Sequence, residues 1–392
     1  MRFQQSKRST IGVEWELQMV DVDTGDLRQS ADAVMDIVER DGKNPHIHRE
    51  MLLNTIEITS GARATVPECL DDLRVTTALL RPVTTPMRID LATAGTHPFA
   101  NPAYQRVTDN GRYADLVERT QYWGRQMQLY GVHVHVGVED PNKVLPIMTA
   151  LLTRFAQLQA LSSSSPYWAG EDTGYASNRA MYFQQLPTAG IPRQFTRWED
   201  LENYVQDITR TSVISDFSEV RWDIRPSPKL GTIEVRVFDA ATNIFEVGVL
   251  AALTQCLVEY YSRRYDAGEQ LPTIPDWFVA ENKWRASRYG MDATLIIDED
   301  GNQEDVVTTL RNMLEMLRPV ADDLGCREQL EGVNEIIRMG AAYQRLAIVG
   351  KRHTFPAKAM VDLMRAEFKA DRPIDPLSFT AAAPARLKDP RP

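Results

Sequence analysis

Four short stretches of the chain alternate apolar and polar residues, and in each the polar positions carry unusual chemistry. In "TIGVEWELQMV" Ile11, Val13, Trp15, Leu17 and Met19 alternate with Gly12, Glu14, Glu16 and Gln18. Side chains two apart in a strand share a face, so both glutamates project together, away from the apolar side. In "LLNTIEITSG" Ile56 and Ile58 oppose Thr55, Glu57 and Thr59, with Glu50 and Asn54 just upstream. In "LYGVHVHVGVED" Val132, Val134, Val136 and Val138 oppose His133, His135, Gly137 and Glu139. In "GTIEVRVFDA" Ile233, Val235 and Val237 oppose Thr232, Glu234 and Arg236, with Asp239 at the end. The pattern predicts strands over 11–20, 52–59, 128–138 and 231–239, with another over 89–95. Helical spacing predicts helices over 31–41, 67–82, 143–162, 198–212, 243–265, 303–320, 328–347 and 357–370. Strands early and helices late predict an α+β fold rather than regular βαβ alternation. The expected organisation is one domain over 1–375 with a helix-rich second half. A flexible tail is expected over 376–392, and residues 2–8 are expected to fray.

A sheet with one wet face also alternates in this way, so the pattern alone assigns no function. The identity of the polar residues matters more, because like charges on neighbouring strands repel. If these strands pair, Glu14, Glu16, Glu50, Glu57 and Glu234 crowd into one surface, which divalent cations would make tolerable. Carboxylate oxygens with an occasional imidazole suit Mg²⁺ or Mn²⁺, whereas zinc would call for more His and Cys. His46 and His48 repeat the spacing near Glu50 but read as an exposed strand edge rather than as ligands. Ser162–Ser165 read as a flexible helix-ending loop which, with Gly170, Gly174 and Arg179, could cover the site. Arg225, just before Pro226, is held in extended backbone, where its forked donors suit a carboxylate and Asp223 could orient it. Arg236 shares a face with Glu234 and reads either as a charge stabiliser or as an ordinary cross-strand ion pair.

Composition narrows the chemistry. The 392 residues are 43% hydrophobic and 25% charged with a net charge of −10, which disfavours nucleic acid and anionic membrane as partners. No uninterrupted apolar window of about 18 residues is present, and the amino-terminal residues lack the apolar core of a secretory signal. Cys69, Cys256 and Cys326 are widely spaced and read as reduced, buried small residues, so a cytoplasmic location is expected. Hard cations without a protein nucleophile point to phosphoryl transfer. The common nucleotide motifs are absent: Gly350-Lys351 is followed by Arg352, and no G-x-G-x-x-G opens a helix.

Six segments in order carry a resemblance over roughly residues 9–370. They are "GVEWEL", "EMLLNTIEITSG", "GVHVHVG", "SSSSPYWAGEDTGYASNR", "WDIRPSPKLGTIEVRVFDA" and the helical carboxy-terminal half. The chain resembles the carboxylate-amine ligases of the YbdK type, the type 2 glutamate-cysteine ligase family within the glutamine synthetase superfamily. The resemblance implies a curved antiparallel sheet with helices on its outer face, an ATP site on the inner face and two or three Mg²⁺ ions. By position, Glu14, Glu16, Glu50, Glu57, His133 and Glu234 resemble the family's metal set, Arg236 and Arg179 its catalytic arginines. Asn54, His135, Arg225 and Asp223 fall on the substrate and nucleotide side. The implied reaction phosphorylates an amino acid carboxylate, glutamate by resemblance, to an acyl phosphate that an amine such as that of cysteine attacks. Homodimers or higher oligomers are also implied. Two other readings stay open: a metal-dependent hydrolase built on His133 and His135, and a nucleotide-binding relative without turnover.

Overall fold

Pairing of the alternating strands produces one seven-stranded antiparallel sheet. In the computed structural model, residues 1–40, 42–109 and 111–381 are described, the Arg112 side chain excepted. The strands are β1 (Ile11–Asp21), β2 (Ile47–Arg49), β3 (Thr55–Thr59), β4 (Ile89–Ala92), β5 (Gly131–Gly137), β6 (Ile224–Ser227) and β7 (Thr232–Asp239). They lie in the order β6-β7-β5-β1-β3-β2, with β4 paired to the far end of β1.

The apolar face is the floor of the core. Ile11, Val13, Trp15 and Leu17 of β1, the valines of β5, and Ile233 and Val235 of β7 are all essentially buried. Helix Ile244–Asp266 packs on β1 and β5, helix Val66–Thr84 on β1, β3 and β4, and helix Phe155–Ser162 on β7. Residues 244–266 are long and apolar enough to cross a membrane by length and composition, but most of that helix is enclosed by the rest of the fold. It is apolar nearly all round because it is packed on nearly all sides. Trp15 joins this layer to the carboxy-terminal helix, its ring tilted against Phe368 at 5.3 Å between centroids and its indole N–H donating to Ala241 O at 3.1 Å.

Several boundaries differ from the sequence expectation for local reasons. The expected strand 52–59 begins only at Thr55, and the preceding residues turn back to form β2. The expected helix 143–162 is two helices, Val144–Leu152 and Phe155–Ser162, bent by 62°. The expected helix 328–347 breaks at Gly340, whose φ of 86° no right-handed helix accommodates, into Arg327–Met339 and Ala342–Arg352. Helices Gly111–Thr120 and Asp276–Tyr289 and strand β6 were not anticipated.

The amino-terminal segment is tied down rather than frayed. Phe3 is buried against Trp198, and Arg8 bonds Glu259 at 2.8 Å and Asp266 at 2.6 Å. At the other end, Phe379 packs on the carboxy-terminal helices, and Ala381 N donates to His353 Nε2 at 3.2 Å. The rest of the expected tail, 382–392, lies outside the described residues. All three cysteines are buried and free.

His97 illustrates how the interior selects a protonation state. Its Nδ1 accepts from Ala100 N at 3.0 Å, and its Nε2 faces Gly25 O at 2.9 Å, which fits the neutral ring with hydrogen on Nε2. Burial depresses its pKa from 6.5 to about 4. A depressed folded value means that the unfolded chain binds the proton first. The stabilisation is therefore complete above pH 6.5 and is lost as pH falls towards 4, by about 3 kcal/mol from this residue. Urea unfolding at pH 7 and pH 4.5 should show a smaller acid loss for His97→Gln than for the wild type. Equal losses would remove His97 from the acid response.

Candidate active site

The register determines which polar side chains meet. Glu16 lies opposite Glu57, Glu14 opposite His133, and Glu234 opposite both His135 and Arg225. The four long strands thus present one continuous acidic and basic row. Gly12 is the β1 residue opposite His135, and without a side chain there it leaves room on the polar face. Glu50 arrives from the turn between β2 and β3, where its carboxylate accepts from Met51 N at 3.0 Å and Tyr113 Oη at 3.3 Å.

Three groups of potential ligand atoms lie within 4.8 Å of one another: Glu14, Glu57 and His133; Glu14, His135 and Glu234; and Glu16, Glu50 and Glu57. Glu14 bridges the two imidazoles, at 2.9 Å from His133 Nδ1 and 3.1 Å from His135 Nε2. Burial works against its charge, yet these bonds hold Glu14 well below the usual carboxylate range. Burial and the Arg236 charge push His133 down to about 4. A neutral His133 bonded to Glu14 through Nδ1 carries its hydrogen there, which leaves the Nε2 lone pair bare. That Nε2 is buried and has no hydrogen-bond partner.

The second cluster has the opposite problem. Burial and the nearby Glu50 push Glu16 up to about 8, and burial with Glu50 and Glu14 pushes Glu57 well above its ordinary value. Buried carboxylates facing one another either hold protons or need a cation. An uncommitted imidazole nitrogen among glutamates and a set of proton-holding carboxylates fit hard divalent ions such as Mg²⁺ or Mn²⁺.

Basic groups gather around Glu234, and the buried Arg179 charge also reaches Glu16. Arg225 grips Glu234 with Nε at 2.7 Å and Nη2 at 3.3 Å, and bonds Ser218 O and Val220 O through Nη1. Arg236 pairs with Glu234 and lies 3.4 Å from His133 Nδ1. Burial, Arg236, His135 and Arg225 act together on Glu234, and the cations prevail, keeping it ionised. A cavity of about 280 Å³ opens over this floor, reached by Glu14, Glu16, Glu50, Glu57, His133, Arg225 and Arg236. Leu116, Met127, Leu129, Phe183 and Leu186 supply apolar lining to the same cavity.

Other expected site residues lie elsewhere. Asn54 is fully buried, donating to Gln105 Oε1 at 2.8 Å and accepting from Tyr130 Oη at 2.8 Å; it supports the strand turn and does not reach the cavity. Asp223 does not orient Arg225 but pairs with Lys283 at 2.6 Å. Arg179 is buried beyond the cavity wall, against Gly131, where a Cβ would collide with its guanidinium; its Nη1 donates to Arg236 O at 3.2 Å. His135 is part of a ligand group but, buried beside Thr232 at 3.0 Å, does not line the cavity. Ser163, Ser164 and Ser165 are buried, not a flexible cover. Ser164 N and Ser165 Oγ donate to Asp239 Oδ2 at 2.9 and 2.6 Å, which ties the loop to the end of β7. Tyr113, Ser218 and Arg221 line the cavity without having been anticipated, because none belongs to an alternating strand.

Comparison with known proteins gives a consistent result. The sequence model of Glutamate-cysteine ligase family 2 matches residues 10–353. The chain is 51% identical over 367 residues to "Putative glutamate--cysteine ligase 2-1" of Mycobacterium sp. (strain KMS), covering 94% of this chain and 97% of the relative. It is 51% identical over 365 residues to "Putative glutamate--cysteine ligase 2" of Mycobacterium tuberculosis (strain ATCC 25177 / H37Ra), covering 93% and 96%. Among solved structures, its fold is similar to glutamate-cysteine ligase of Francisella tularensis in complex with AMP, with a TM-score of 0.67 at 13% identity, covering 95% of this chain and 91% of that one. It is also similar to a bifunctional glutathione synthetase of Pasteurella multocida, with a TM-score of 0.62 at 15% identity, covering 91% and 51%.

The acid clusters make a signed prediction. Glu16 has a raised folded value, so the stability tied to its protonated form is complete below pH 4.5 and is lost as pH rises through about 8. In metal-free protein, Glu16→Gln should therefore be more heat-stable than the wild type at pH 8 and similar to it at pH 5. Millimolar Mg²⁺ or Mn²⁺ should raise the wild-type Tm at pH 8 and raise that of Glu16→Gln much less. A destabilised variant that keeps the full metal response would refute the assignment.

Proposed function

Since the chain belongs to glutamate-cysteine ligase family 2, we propose that it is an ATP- and Mg²⁺-dependent ligase that joins the side-chain carboxylate of glutamate to an amine such as that of cysteine, through an acyl phosphate. The observation that carries this reading is the row of carboxylates at the cavity floor and just behind it: three groupings, two of them with an imidazole, stand beside Arg225 and Arg236, with Glu234 and His135 behind the cavity surface.

The difficulty in this reaction is bringing a carboxylate against a polyphosphate. Bound divalent cations, held by Glu14, Glu16, Glu50, Glu57, His133, His135 and Glu234, would neutralise phosphate charge. The chain's own contribution is the guanidinium groups. Arg236 and Arg225 are held at the cavity edge by Glu234, whose charge is sustained by its buried cationic neighbours. Arg236 would supply most of the N–H donors to oxygen atoms that gain charge as phosphate moves, because four of the five N–H groups of Arg225 are already bonded to Glu234, Ser218 O and Val220 O. The substrate carboxylate oxygen attacks the γ-phosphorus and ADP leaves. The amine then attacks the acyl carbon, a C–N bond forms, the C–O bond to phosphate breaks and inorganic phosphate departs. In this reading the substrate carboxylate itself is the nucleophile. Met127, Leu129, Phe183 and Leu186 line the cavity with apolar surface that would offer the mixed anhydride fewer neighbouring water molecules.

The test is ADP release in Mg²⁺ with glutamate and a panel of amines that includes cysteine. Release should require both substrates. Arg236→Lys, which keeps the charge and loses the fork, should lower kcat by about 100-fold, the order seen when one preorganised donor is removed. Wild-type-like turnover by Arg236→Lys would take that arginine out of the mechanism. ATP-independent chemistry would favour a hydrolase.

A further inference from the structure

The strand that carries Arg236 is irregular where the arginine emerges. Against β5 the register of β7 slips between Val235 and Phe238, so Arg236 has no partner residue on that side. A bulge of this kind re-aims a side chain but leaves backbone groups to be satisfied elsewhere. Arg236 N donates to Asp223 O at 2.8 Å. The Asp223 N–H, which a regular ladder would return to Arg236 O, is diverted to Gly190 O at 2.8 Å. Arg236 O is taken instead by Arg179 Nη1 at 3.2 Å.

Residue 223 is thus the anchor for the bulge, and its side chain is itself locked. Asp223 Oδ2 meets Lys283 Nζ at 2.6 Å, with side-chain exposures of only 6% and 5%. Lys283 stands on helix Asp276–Tyr289, lines no part of the cavity and touches none of the metal-binding candidates. A buried ion pair is a poor source of stability, since the desolvation cost offsets most of the attraction. Its physical yield is geometric: two groups that cannot be left unpaired hold the loop at 223 in one place. The head of Arg236 is held by Glu234 through Nη1, while its Nε is buried and unbonded.

We propose that Lys283, acting through Asp223, is a positioning residue that holds the β7 bulge so that Arg236 points into the cavity. The proposal rests on the ligase reading for its kinetic consequence but not for its structural one. Displacement of a stabilising group by about 1 Å costs on the order of 100-fold in rate.

The experiment uses the full-length protein with Lys283→Met and with the neutral double variant Asp223→Asn/Lys283→Met, which leaves no unpaired buried charge. Both should lower kcat for ADP release by about 10- to 100-fold, with KM for ATP and the Mg²⁺-induced shift in Tm unchanged. In an Arg236→Lys background, adding Lys283→Met should change kcat by less than about 2-fold, because its target is already altered. The same loss in both backgrounds would mean a general structural role and would overturn the proposal. A second readout needs no turnover. The side-chain Nε–H resonance of Arg236, identified by its disappearance in Arg236→Lys, should shift or broaden in both latch variants. An unmoved resonance overturns the proposal even if the protein proves to catalyse another reaction. A wild type that releases no ADP with any substrate pair would refute the ligase reading and leave this resonance to decide the latch.

Discussion

Everything in this molecule turns on carboxylates that face one another across paired strands. Glu16 opposite Glu57, with Glu50 beside them, is an arrangement that a sheet surface ordinarily avoids. The fold sustains it by covering the back of the same strands with a dense apolar layer, so that the unfavourable face is carried by a rigid one. Trp15 and Leu17 flank Glu16 along β1 and are fully buried, while Glu16 projects to the opposite side. The repulsion cannot relax by twisting β1 without tearing that layer from helix Ile244–Asp266.

The charges are also sorted laterally. On the β3 side the carboxylates have one another, a tyrosine, two backbone N–H groups and the more distant Arg179 charge; on the β7 side Glu234 is gripped by two arginines and approached by His135. The result is a gradient from groups that hold protons to groups that stay ionised. His133 and Glu14 lie between them, bonded to each other. Such a surface can take up cations at one edge while offering guanidinium donors at the other, which is the distribution of charge that a carboxylate and a triphosphate would need in order to approach.

The supporting contacts extend well behind the cavity. Asp239, at the end of β7, is held by Ser164, Ser165 and Ser177, and Arg179 passes behind Gly131 to reach the carbonyl of Arg236. Of these, the serine run was expected to form a flexible cover over the site and Arg179, by resemblance, to act in it. In the fold they satisfy backbone and side-chain groups that a bulged strand end leaves open. Asn54 has the same kind of role at the turn into β3. Burial, which cannot be read from residue type, separates the groups that hold the site from the groups that form it.

Period-two alternation was enough to place Glu14, Glu16, Glu57, His133 and Glu234 each on the polar face of its own strand, because the geometry of an extended chain leaves no other choice. The same local rule located the long core helix and most others, since apolar spacing reports which side is buried. It failed where the decisive term is not local. β6, two residues after Trp222, is too short to alternate legibly and exists because β7 offers it an edge. The serine run looks flexible until Asp239 supplies its partners. Helix Asp276–Tyr289 is polar enough to be overlooked, yet it delivers Lys283 to Asp223. The amino-acid sequence by itself therefore determined which chemistry each strand carries and on which face. The tertiary structure alone decided which carboxylates meet, which arginine reaches the cavity and which lies behind it, because register and burial depend on contacts between residues far apart in the chain.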